Sequence, residues 1–172
     1  GRIRRQRQMC IRDSNNIENL LSVESRWQSW LDVEASMARS QSELKMIPRK
    51  VGNKIAKNCN LKKLNLKNIY RDLKITGHKL VPLIWELSRV CDKDSKKYVH
   101  WGGTTQNIVS NGDILILRKI HKIFLNDLSD LLKILSKLSL KTKNDLMAGR
   151  THGQHALPIT FGYKVACWID EI

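Results

Sequence analysis

The chain has 172 residues, 41% of them hydrophobic, with only 9 glycines and 3 prolines. That composition excludes a disordered or fibrous protein and reads as globular and helix-rich. A formal charge of +15 raises the question of nucleic acid. However, Arg2, Arg4, Arg5, Arg7 and Arg12 against Asp13 put +4 of it in residues 1–14, and the remaining lysines are scattered as on a solvated surface.

Residues 1–14 include RRQRQMCIRDS, which reads as the in-frame translation of a sequencing adapter. We expect this segment to be a disordered scar and set it aside from fold reasoning; a basic N-terminal arm is the alternative. Cys10, Cys59, Cys91 and Cys167 show no CxxC pairing and no metal-ligand spacing. Cys10 lies in the suspected scar, and the simplest reading of the other three is reduced, partly buried thiols in a cytoplasmic protein. No run of about 18 apolar residues offers a membrane span.

From Ile17 to about Leu44 the pattern is that of one helix. Trp27, Trp30, Leu31, Glu34, Met37, Ala38 and Gln41 recur at helical spacing, and core packing explains them. Pro48 suits the start of a second helix over Arg49–Lys57, and a short one follows from Leu66 to Leu73. The turn Thr76-Gly77-His78 opens a helix that runs through Val90, which places His78 at a helix N-terminus. The positive end of the helix dipole there favours a neutral imidazole or a bound anion.

After the charged loop Asp92–Tyr98, Gly102-Gly103 frees the backbone, and Thr104 or Thr105 caps a long helix that continues to Lys141. Leu117, Ile120, Phe124, Leu128, Leu131, Leu135 and Leu138 step by three or four along it. Such a stripe suits a helical bundle and an oligomer interface. Leu146–His155 reads as a loop, and Pro158 as the start of a last helix whose apolar face has no partner in this chain. The sequence therefore reads as truncated.

Two polar clusters flank the long helix: VHWGGTTQNIVSNGD over residues 99–113 and MAGRTHGQHALPITFG over 147–162. At opposite ends of one helix they serve a single active site only if another element or another copy supplies the missing half. Both resemble signatures of the fumarase/aspartase superfamily, most closely its adenylosuccinate lyase and carboxymuconate cycloisomerase branches. The likeness extends back through RWQSWLDVEASMARSQSEL and TGHKLVPLIWEL, so it covers the chain from about Asn15 onward.

The resemblance implies an all-α fold, with a small helical N-terminal domain over 15–98 and the start of a long-helix bundle over 99–172. It further implies a homotetramer with active sites shared between subunits, acting on a small dicarboxylate with no metal and no organic cofactor. Enzymes of this kind take a proton from the carbon next to a carboxylate and expel an amine or oxygen group as fumarate forms. The dianionic, carbanion-like intermediate needs fixed donors, for which Thr104, Thr105, Gln106 and Asn107 are the candidates. The leaving nitrogen needs an acid, and an imidazole exchanges protons near neutral pH.

His152 matches the motif histidine and is the candidate acid, with His78 as a second catalytic candidate. His155 and Gln154 are assigned to substrate binding, and Arg150 either pairs with an anion or ties down its loop. His100 and His121 have weaker claims. Asn107 stands where the family often has Asp, and Asn111 where many members have Thr, and these departures leave room for a substrate other than adenylosuccinate. The Gly-Ser-Ser loop that carries the family's base serine does not occur in these residues, so the chain alone is expected to be inactive. Two rival readings are a carboxymuconate cycloisomerase and a basic helical nucleic-acid binder; His78 argues against the first while HWG and the Ala-Leu-Pro-Ile-Thr run argue for it, and the scattered lysines argue against the second.

Overall fold

The computed structural model describes residues 15–172, so the suspected scar lies outside the described residues. They form seven helices and one β-hairpin: α1 (Asn15–Leu21), α2 (Val23–Glu43), α3 (Arg49–Asn58), α4 (Leu66–Thr76), α5 (Val81–Val90), α6 (Thr105–Lys141), β1 (Leu146–Thr151), β2 (Gln154–Thr160) and α7 (Phe161–Glu171). The all-α expectation holds, with the hairpin as a local exception. The chain divides into two compact units, one up to Ile120 and one from His121.

In the first unit the expected helix over 17–44 is two helices. Ser22 adopts an extended conformation and its hydroxyl accepts the Ser25 N–H at 3.2 Å, so it ends α1 and caps α2. One face of α2 buries Trp27, Trp30, Leu31, Ala35 and Ala38 against Ile55 of α3, Ile69 of α4, Leu83 and Leu87 of α5, and Ile108 and Val109 of α6. Gly112 of α6 packs on Trp30, where a Cβ would collide with the indole. Beside it the Ser29 hydroxyl donates to the Gly112 carbonyl at 2.6 Å. These contacts fix the first turns of α6 on α2.

Helix α4 ends at Gly77 in the left-handed conformation, and α5 begins four residues later. Asp72 of α4 and Glu86 of α5 are both buried, and Arg89 pairs with each, at 2.6 and 2.9 Å. Glu86 also accepts the Asn65 N–H at 3.1 Å. Two buried carboxylates sharing one guanidinium in this way lock the α4–α5 corner that carries His78.

In the second unit the expected loop over 146–155 is instead an antiparallel hairpin. Leu146 pairs with Thr160 and Thr151 with Gln154, leaving His152 and Gly153 as a two-residue turn. Both have positive φ, 50° and 73°, the geometry of the tight hairpin turns whose twist matches the strands. Pro158 lies within β2 opposite Ala148 rather than opening a helix. In a two-stranded sheet both strands are edges, so its missing N–H disrupts no interior ladder. The last helix starts at Phe161, where the Thr160 hydroxyl accepts the Tyr163 N–H at 3.1 Å.

Helix α7 closes onto the end of α6. Phe161 N–H donates to the Asp145 carbonyl at 2.8 Å, Gly162 N–H to that of Thr142 at 3.0 Å, and the Ser139 hydroxyl to that of Gly162 at 2.8 Å. Along α6 the apolar stripe expected to form a bundle core stays open in the single chain. Leu117 is 53% exposed, Phe124 56% and Leu131 40%.

Candidate functional site

In the first unit the segment before α6 folds as a tight loop. His100 and Gly102 take left-handed backbone conformations, φ 56° and 67°, and Gly103 N–H donates to the His100 carbonyl at 3.2 Å. Thr104 then occupies the cap position, its carbonyl accepting Asn107 N–H at 3.0 Å and Ile108 N–H at 3.3 Å. No hydrogen bond links the Thr104 or Thr105 hydroxyl to another described residue. The side-chain cap expected from these threonines is therefore not made. Among the described residues both hydroxyls and the N–H groups of Thr105 and Gln106 remain open, as a carboxylate cradle requires.

Gln106 and Asn107 are exposed on the first turn of α6. The Gln106 amide donates to Ser110 Oγ at 3.0 Å, and the Asn107 carbonyl accepts from the Asn111 amide at 2.8 Å. Asn111 therefore steadies the turn that carries Asn107.

His78 stands at the N-terminus of α5 as expected, half-buried. Its Nδ1 accepts the N–H groups of Leu80 and Val81, each at 3.2 Å. Two donors converging on Nδ1 put the proton of the neutral ring on Nε2, so His78 presents a donor on its far side while it caps the helix.

His100, given a weaker claim by sequence, is the most strongly coupled histidine. Its Nδ1 lies 2.5 Å from Glu34 Oε1, and Glu34 is 1% exposed. The hydrogen bond to Glu34 raises the His100 pKa above its ordinary value, against the opposing effect of burial. Helical spacing assigns Glu34 and Gln41 to core packing; in the fold both face this loop instead, and Gln41 donates to the Trp101 carbonyl at 2.7 Å. The available signal was two polar residues seven apart on an otherwise apolar face. Cys59 is a buried thiol whose thiolate is disfavoured, because burial first and Glu34 next push its pKa up to about 12.

In the second unit the hairpin gathers the other candidates. His152 sits at the turn, exposed. Arg150 pairs across the strands with His155, and Thr151 with Gln154. Paired residues share a face of the ribbon, so Arg150 and His155 lie on one side, Thr151 and Gln154 on the other. His155 also borders a shallow groove of about 370 Å³ with Met147, Ala148 and Pro158. His121 is an exposed residue of α6. Among the described residues no group of three or more His, Cys, Asp or Glu could hold a metal ion, and no helix is long and apolar enough to cross a membrane.

A family model described as lyase matches residues 12–172. An N-acetyl-S-(2-succino)cysteine lyase of Enterococcus italicus is 40% identical over 148 residues, 86% of this chain and 32% of that protein. An adenylosuccinate lyase of Methanothermobacter thermautotrophicus is 35% identical over 150 residues, 87% of this chain and 33% of that protein. Among solved structures, β-carboxy-cis,cis-muconate cycloisomerase of Acinetobacter calcoaceticus matches with a TM-score of 0.84 at 25% identity, over 91% of this chain and 37% of that one. The chain thus spans about a third of the length of the curated relatives it matches. With both polar clusters inside the matched span, the chain belongs to the lyase family, within the fumarase/aspartase superfamily.

Proposed function

We propose that this chain supplies two parts of the active site of an enzyme that eliminates a succinyl substituent as fumarate. The observation that carries the reading is the pair of unengaged hydroxyls, Thr104 and Thr105, at the open N-terminus of α6. Donors fixed before the reaction, and not consumed by capping the helix, suit the carboxylate of a carbanion-like intermediate. Gln106 and Asn107 extend the same cradle.

His152 is the acid that protonates the leaving group, because its place at a two-residue turn leaves the ring unencumbered. His155, opposite Arg150, contacts an anionic part of the substrate, and Gln154 orients it from the other face of the ribbon. His78 donates through Nε2. The base is a residue outside this chain, so the 172 residues alone turn over no substrate. No metal or organic cofactor enters this reading. The open stripe on α6 fits a homotetramer with shared sites, and the free thiols of the described cysteines fit the cytoplasm.

The leaving atom is nitrogen in this reading, as the name adenylosuccinate lyase implies for the relative that bears it. The succinocysteine lyase relative supports sulfur as the second reading. Fumarate release by the intact protein from adenylosuccinate and from N-acetyl-S-(2-succino)cysteine separates the two. A lactone product from a carboxymuconate, with no fumarate from either substrate, would overturn both.

A further inference from the structure

We infer that Glu34 and Gln41 are positioning residues that clamp the loop His100–Gly103 and so aim Thr104, Thr105 and the first turn of α6 at the substrate. The inference rests on the proposed role of that cradle. It starts from an anomaly of α2. Glu34 occupies a site where Leu31 and Ala38, a turn on either side, are packed apolar residues, and it is as buried as they are. A carboxylate taken out of water is costly unless paired, and among the described residues its one hydrogen-bond partner is His100.

His100 has its own anomaly. A residue with a Cβ at φ 56° gives up about 1–2 kcal/mol relative to the right-handed region. Such a conformation persists only where the surroundings over-determine it. The Glu34 bond holds the ring, and Gln41, seven residues and two turns along the same face of α2, holds the next peptide through the Trp101 carbonyl. Between them Met37 closes the inner side of the loop: its Sδ and Cε lie 3.2 and 3.1 Å from where a Cβ on Gly103 would stand. Three residues of the loop, His100, Trp101 and Gly103, are thus held from one helix face. The docking of α2 on α6 does not need them, since Trp30, Ser29 and Gly112 make it further along.

The test uses the intact protein with three variants. Glu34→Leu fills the site but frees His100. Glu34→Gln keeps an acceptor for the imidazole N–H, and Gln41→Met removes only the bond to Trp101. Amide exchange over residues 99–108, melting temperature and the kinetics of fumarate release are measured for each. The clamp predicts that Glu34→Leu and Gln41→Met speed exchange in that segment about ten-fold, while exchange in α3 stays as in the wild type. It predicts kcat falling about 100-fold with a smaller change in KM, and substantial recovery in Glu34→Gln.

Wild-type exchange in the loop of a folded Glu34→Leu or Gln41→Met variant would overturn the clamp. So would a loosened loop with wild-type kcat. If Glu34→Leu fails to fold, Gln41→Met decides. A wild-type protein that releases no fumarate overturns the lyase reading instead, and loop exchange alone then decides whether the clamp exists.

Discussion

His152 and His100 are both histidines in the left-handed backbone region, and the two are held there differently. At His152 the strain comes from a hairpin turn, and asparagine is the residue such turns favour. His152→Asn should therefore leave the fold intact while removing the proposed acid. In the intact enzyme we expect kcat to fall about 10²- to 10⁴-fold with no loss of melting temperature, measured side by side. At His100 the buried Glu34 carboxylate does the holding and raises the imidazole's pKa. A raised folded-state pKa contributes stability that is complete below the unfolded value of 6.5 and is lost as pH rises through the folded value. Melting temperature should thus fall as pH rises above 6.5, and this slope should flatten in Glu34→Gln. A slope that Glu34→Gln leaves unchanged would assign the pH dependence to another group.

At the scale of elements, the helices were legible because their apolar residues repeat with helical spacing over long stretches. The expected span of α6 matches the observed Thr105–Lys141. The hairpin was not, although Thr-His-Gly-Gln carried a turn signal in Gly153. His is a rare first residue for a two-residue turn, and Pro158 resembles a helix start more than a strand. The Ser22 break was hidden because serine at a cap and serine within a helix look alike until its hydroxyl finds Ser25. Of the site, the types and order of the polar residues were visible. What was not visible was that Glu34 and Gln41 face a loop instead of the core, since that depends on which element α2 meets. The junction of α6 and α7 gives a direct test of the observed packing. A Cβ on Gly162 would stand 2.5 Å from the Ser139 carbonyl oxygen and 2.7 Å from Lys143 Cα. Gly162→Ala should destabilise the second unit by about 1–3 kcal/mol, read by denaturant unfolding.

For the whole molecule, the relevant fact is that this chain matches about a third of its curated relatives and leaves the α6 stripe open. If sites are shared between copies, a protein with the cradle disabled by Thr104→Val and Thr105→Val and another with His152→Asn should each be inactive. Co-assembled, they should regain fumarate release; two inactive parents whose mixture stays inactive would place both clusters of each site in one copy. The most direct test of the central claim is fumarate release by the intact wild-type protein and its His152→Asn variant, given adenylosuccinate and N-acetyl-S-(2-succino)cysteine. We expect fumarate from at least one substrate with the wild type and a loss of about 10²-fold or more in the variant. Fumarate release at the wild-type rate by His152→Asn, or none from either substrate by the wild type, would contradict it.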